Sequence, residues 1–140
     1  MAVNIRKIEH QPILILTYTD LLDTKTFVKA FQTTSEIIRQ HRLPAVYRIS
    51  DMKEATYPGM GELLAVFRYI QNKPEGSCAD PRIHGTFIGM KGALTAYARF
   101  ARMMRVNRKT LPSFQEVEPA LAYIRTDPCG IFLPSSQALR

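Results

Sequence analysis

The most constraining stretch runs from Ala45 to Ile70. Ala45-Val46-Tyr47-Arg48-Ile49-Ser50 is a mainly apolar, β-favouring run that follows Leu43-Pro44 and ends at Asp51. A connector, Met52 to Tyr57, leads to Pro58-Gly59-Met60-Gly61 and then to a helix-length apolar segment ending at Ile70. Strand, turn and helix in that order make half of a βαβ unit. In such units the loop at the carboxyl end of the strand is where ligands or partners usually meet the fold.

The segments on either side repeat the pattern. Val3 to Glu9 alternates with only one weakly apolar face, as an edge strand does. Ile13-Leu14-Ile15-Leu16-Thr17-Tyr18 is apolar on both faces and reads as a buried strand. Asp23 is a suitable N-cap for a helix that puts Phe27, Val28, Phe31, Ser35 and Ile38 near one side. Leu43-Pro44 closes that helix, because proline lacks a donor and biases its predecessor away from helical geometry. In the next helix Met60, Leu63, Leu64, Phe67 and Ile70 are expected to form the inward stripe.

Beyond the turn-rich Asn72–Ser77 loop, Arg82 to Gly89 predicts a further strand. A helix is expected over 93–106 and a short strand over Lys109-Thr110-Leu111. For the last helix, a start near Glu116 keeps Pro119 in the first turn, where its missing N–H costs nothing, and turns Val117, Ala120, Leu121 and Ile124 inward. The reading is an α/β domain over 1–125 followed by a tail over 126–140, from which Ile131-Phe132-Leu133 can dock on the body. Repeated crossovers demand parallel pairing, so the expected architecture is an open, mostly parallel five-stranded sheet with about four helices.

Composition matters mainly for what it excludes. A chain of 140 residues with 46% hydrophobic and 22% charged residues suits one domain with one substantial core. No apolar run approaches the roughly 18 residues of a membrane span, and the start lacks a secretory core. Cys78 and Cys129 have no CxxC or disulfide-framework spacing, so a reduced, cytoplasmic protein is expected. The net charge of +7 is dispersed except near Arg99, Arg102, Arg105, Arg108 and Lys109, and no motif or stacking aromatic set accompanies it. Nucleic-acid binding is therefore not expected.

Catalytic signatures are missing too. Gly89-Met90-Lys91-Gly92 is neither GxxxxGK[ST] nor GxGxxG and reads first as a tight βα turn. Its alternative role is an anion site using Lys91 and Gly92, with Arg99 and Arg102 on the following helix. Cys78, Asp80 and His84 are neighbours in sequence, which is no evidence of a nucleophile and base in contact. His10, His41 and His84 lack metal-ligand spacing, so no metal or cofactor is expected. Asp51 and Glu54 read as turn carboxylates rather than an acid–base pair.

Taken together, the element order, Asp51 at a strand end, Asp80-Pro81-Arg82 before Phe87-Ile88-Gly89, and Leu111-Pro112-Ser113-Phe114 before Ala120–Ile124 carry a resemblance. From Ile13 to Ile124 the chain resembles STAS domains of the anti-sigma-factor-antagonist type, and more closely their SpoIIAA-like relatives grouped with SEC14-type lipid-binding folds. In the antagonists the helix after the second crossover strand begins with a phosphorylatable serine. The corresponding place here, Gly59-Met60-Gly61, offers no hydroxyl, and Thr56 sits too early. The resemblance implies a non-catalytic regulatory or interaction module that binds a protein partner or a second copy of itself. Its contact residues would be Asp51, Glu54, Thr56, Gly59, Met60, Gly61 and Glu62. A small-molecule or lipid carrier of SEC14 type and an enzyme on an anionic substrate are the alternatives.

Overall fold

A computed structural model describes residues 3–89 and 111–132. Over these residues the chain runs β1 (Val3–Lys7), β2 (Ile13–Tyr18), α1 (Thr24–Gln40), β3 (Val46–Asp51), α2 (Met60–Gln71), β4 (Ile83–Ile88) and α3 (Val117–Ile124). The sheet order is β1-β2-β3-β4. β1 pairs antiparallel with β2, whereas β2–β3 and β3–β4 are parallel. The expected mixed α/β, mostly parallel architecture is therefore present, with four strands and three helices among the described residues.

The counts differ from the expected five and four for two reasons. The helix expected over 93–106 and most of the 109–111 strand lie outside the described residues. Near that strand, the described chain makes a single parallel bridge, Ile88 to Phe114, three residues later than expected. Pro112, without an N–H, precedes the bridge. No described helix is long and apolar enough to cross a membrane.

Both faces of the sheet are covered, which is why β2 has no polar face. Leu14, Leu16 and Tyr18 join Phe27, Ala30, Phe31 and Ile38 of α1 and Val66 and Ile70 of α2 in one core. Ile13 and Ile15, pointing the other way, join Tyr47, Ile49, Ile88 and the inner residues of α3 in a second core. Asp23 caps α1 by accepting from the Thr26 amide at 2.9 Å. That bond is the main reason its carboxyl lies below the usual range. Glu116 is the N-cap position of α3, so Pro119 falls in the first turn as the sequence requires.

One side chain breaks the apolar pattern. Arg48, in the middle of β3, is only 4% exposed and faces α1. Its guanidinium donates to the Gly76 carbonyl and, at 3.4 Å, to Thr34 Oγ1. The Phe31 ring lies 5.6 Å below its Cζ. No carboxylate pairs with it among the described ion pairs, and its Nε has no acceptor among the described residues. Nearby, burial pushes the Tyr18 phenol up to about 12, with the charge of Arg48 opposing the rise.

The loop before β4 is organised around that cation. The Gly76 amide donates to Asp80 Oδ2 at 2.9 Å, and Asp80 also binds the side chain and amide of Arg82. Burial pushes the Asp80 carboxyl up, but the Arg82 side chain and the two amides outweigh it and hold it at about 2. Gly76 has φ +86, and a Cβ there would sit 2.1 Å from the Phe31 carbonyl oxygen.

The segment after α3 turns back onto the second core. Tyr47 Oη donates to Asp127 Oδ1 at 2.7 Å and accepts from the Cys129 amide at 2.8 Å. Asp127 in turn accepts from the Ile131 amide at 2.8 Å and the Phe132 amide at 3.3 Å. Ile131 and Phe132 therefore pack on the core.

Two expectations follow. Gly76→Ala destabilises by about 3 kcal/mol or more, since neither the left-handed backbone nor the Phe31 carbonyl can give way. Gly130→Ala meets nothing within 4 Å at φ +66, so it costs only about 1 kcal/mol; urea unfolding of both variants measures the difference.

Asp80 has a folded pKa below its unfolded value, so its contribution is complete above about pH 4 and is lost as pH falls toward 2. Asp80→Asn loses about 2 kcal/mol at pH 7 and shows a flatter loss of stability across that window than the parent chain. Equal pH slopes for the two proteins contradict this account.

Candidate functional site: the carboxyl end of the parallel strands

β2 and β3 both end at one edge of the domain, and the connectors leaving them are stitched together. The Leu22 amide donates to the Thr56 carbonyl at 2.9 Å, and the Thr56 amide donates to the Asp20 carbonyl at 3.1 Å. Leu21 and Thr56 thereby form an isolated parallel bridge beyond the ends of the strands. Thr56 is fixed through its backbone while its side chain stays exposed.

The acids expected here have different surroundings. Asp51 is half-buried and accepts from the Lys53 amide at 3.1 Å, a turn contact within its own connector. Lys53 Nζ lies 3.9 Å from Asp51 and 2.7 Å from Glu116, tying the connector to the start of α3. The hydrogen bond to Glu116 raises the Lys53 ammonium above its usual value. Glu54 points to solvent. Glu62 Oε2 accepts from Thr24 Oγ1 at 2.9 Å and from the Thr24 amide at 3.3 Å. A carboxylate at the first residue of α1 is favoured by the helix dipole, so Glu62 serves as a strut between α2 and α1.

The start of α2 is bare. Its N-cap, Gly59, makes no side-chain hydrogen bond. Gly59 and Gly61 are exposed, with nothing within 4 Å of where a Cβ would stand. The expected inward stripe needs correction here. Leu63, Val66 and Ile70 are buried, whereas Met60 is 64% and Leu64 44% exposed. Met60 and Leu64 are one turn apart and share a face. Leu21, also exposed, lies at the same end of the sheet.

The other candidate chemistry does not come together here. His84 stands on β4 beside Tyr47, with ring centroids 6.1 Å apart, on the face of the second core. Cys78 packs against the first core, across the sheet. No group of three metal-ligating side chains is found among the described residues. Lys91, Gly92, Arg99 and Arg102 lie outside the described residues, as do Met90, Met103 and Met104. Sequence reasoning missed Leu21 and the exposure of Leu64, which a helix apolar on nearly every side conceals.

No protein-family model matches the sequence. No curated protein matches it either. Solved structures do resemble it. One is the anti-sigma factor antagonist SpoIIAA in its unphosphorylated form, at 12% identity and TM-score 0.50 over 91% of this chain and 99% of that one. Another is an uncharacterized DUF3478-family protein from Shewanella loihica PV-4 with a SpoIIAA-like fold, at 12% identity and TM-score 0.52 over 87% and 91% of the two chains. The chain has a SpoIIAA-like fold.

Proposed function

We propose that this chain is a non-catalytic regulatory module acting in the cytosol, which binds a protein partner through the Asp51–Glu62 connector and the first turns of α2. The observation that carries this reading is the exposure of Met60 and Leu64, side by side on a helix start with no side-chain cap. Exposed apolar side chains at the carboxyl end of parallel strands, on a backbone braced by Thr56 and Glu62, suit docking without rearrangement. Methionine adds an adaptable contact surface. Its fold likeness to an anti-sigma factor antagonist supports the same class of role.

Regulation in this reading does not use phosphate at the helix start. Gly59-Met60-Gly61 has no hydroxyl, and the exposed Thr56 hydroxyl precedes the helix by four residues. Binding would instead depend on apolar contact and on the shape of the connector.

The paired substitution Met60→Ser and Leu64→Ser tests this. It should weaken partner binding by at least about tenfold, or 1.4 kcal/mol, while leaving fold stability within about 0.5 kcal/mol because both sites are exposed. Native pull-down with mass spectrometry on parent and variant, followed by titration of the recovered partner, provides the measurement. Identical partners at identical affinity would overturn the assignment, and sedimentation of the purified chain separates self-association from a second protein.

A further inference from the structure

At the opposite end of the sheet, where β2 and β3 begin, a second feature stands apart from that reading. The β1–β2 turn, the end of α1 and residues 131–132 line a cleft, open to solvent on one side, of about 450 Å³. Small-molecule sites span roughly 300–1,000 Å³. Among the described residues the ionisable lining is basic: Lys7, His10, His41 and Arg42, with no carboxylate. The apolar lining includes Leu43, Pro44, Ile131 and Phe132.

The walls are fixed. Phe132 stands edge-on to the buried Tyr47, centroids 5.6 Å apart. Asp127 holds the amides of Ile131 and Phe132. The far wall is the C-terminus of α1, whose last carbonyls would ordinarily repel an anion. Here they are occupied: His41 donates to Ile37, Arg42 to Arg39 and Leu43 to Ile38, at 3.0 to 3.2 Å. Glu9 reaches His10 Nε2 at 3.6 Å, but both side chains are 88% exposed, so solvent weakens the pairing.

Arg42 is the telling residue. Those hydrogen bonds are a Schellman turn, and Arg42 occupies its left-handed position with φ 52. Glycine is the usual occupant of that position. His10, in the β1–β2 turn, is also left-handed, with φ 64. The chain thus places an arginine on the cleft wall at a backbone position that favours glycine.

We propose that this cleft binds an amphipathic organic anion of small-molecule size, its acidic head against Arg42 and Lys7 and its apolar body against Leu43 and Phe132. Charge selects the head, and the apolar wall favours an occupant with an organic body over inorganic phosphate, which has nothing to place there. Aromatic and aliphatic bodies are both compatible with the wall, as are carboxylate and phosphate-ester heads with the basic rim.

Fluorescence titration of the full chain with 1-anilinonaphthalene-8-sulfonate, alongside its uncharged analogue N-phenyl-1-naphthylamine, tests the proposal. The sulfonate should bind saturably at one site. Arg42→Gly should weaken it by about tenfold, leave the neutral analogue unchanged, and keep or raise Tm, because glycine relieves the left-handed strain. Phe132→Ala should weaken both probes. Displacement by octanoate or by phenyl phosphate identifies the head group preferred. Absence of saturable binding, indifference to Arg42→Gly, or displacement by neither competitor overturns the proposal. So does loss of the signal in the Met60→Ser, Leu64→Ser protein, which would place the probe on α2 instead.

Discussion

A cation that cannot reach water sets the terms for the middle of this molecule. Arg48 sits in β3 between two parallel neighbours, under α1, with 4% of its surface exposed. Burying an arginine costs several kcal/mol unless its donors are met. Carbonyl, hydroxyl and ring partners meet part of that need here, rather than a carboxylate, and Nε is left without an acceptor among the described residues. The Gly76 carbonyl must therefore be delivered to a defined point, and the loop that delivers it is held by Asp80 and Arg82. Gly76 lies so close to α1 that no side chain fits between them. The charge in β3, the path of the loop and the entry into β4 are thus one linked arrangement.

Much of this architecture is legible in the residues. The two-faced apolar run of β2, the Asp23 cap and the placement of Pro119 each follow from local chemistry, and each is found. Local chemistry fails where several answers satisfy it equally. In α2, Leu63, Leu64, Ala65, Val66 and Phe67 are consecutive, so stripes through Leu64 or through Val66 look alike, and only packing on α1 chooses. Arg48 reads as an interruption of an apolar strand, because nothing nearby announces a carbonyl 28 residues later. The struts of the site are equally remote: Thr24 and Glu62 are 38 residues apart. Lys7, His10, His41 and Arg42 become neighbours only because β1, β2 and α1 end on the same side.

The two ends of the sheet differ in kind. At the carboxyl end, connectors are tied to one another and apolar side chains are left outside. At the amino end, basic groups and an apolar wall line an open cleft. Only the fold is shared with the solved structures at 12% identity, so the chemistry at each end rests on this chain's own residues. A rigid sheet covered on both faces keeps the two ends apart while fixing both.

The bond from Tyr47 to Asp127 spans 80 residues of sequence. In chain order, the first core gains α1 and α2 early, whereas the described residues that cover Ile13, Ile15, Tyr47 and Ile49 from the other side come late, at 111–132. Until that cover emerges, the nascent chain carries a half-sandwich with one greasy side. Such intermediates are where chaperones intervene and where aggregation competes with folding. Damage to the Asp127 turn would therefore weigh more heavily on the yield of folded protein than its few hydrogen bonds suggest.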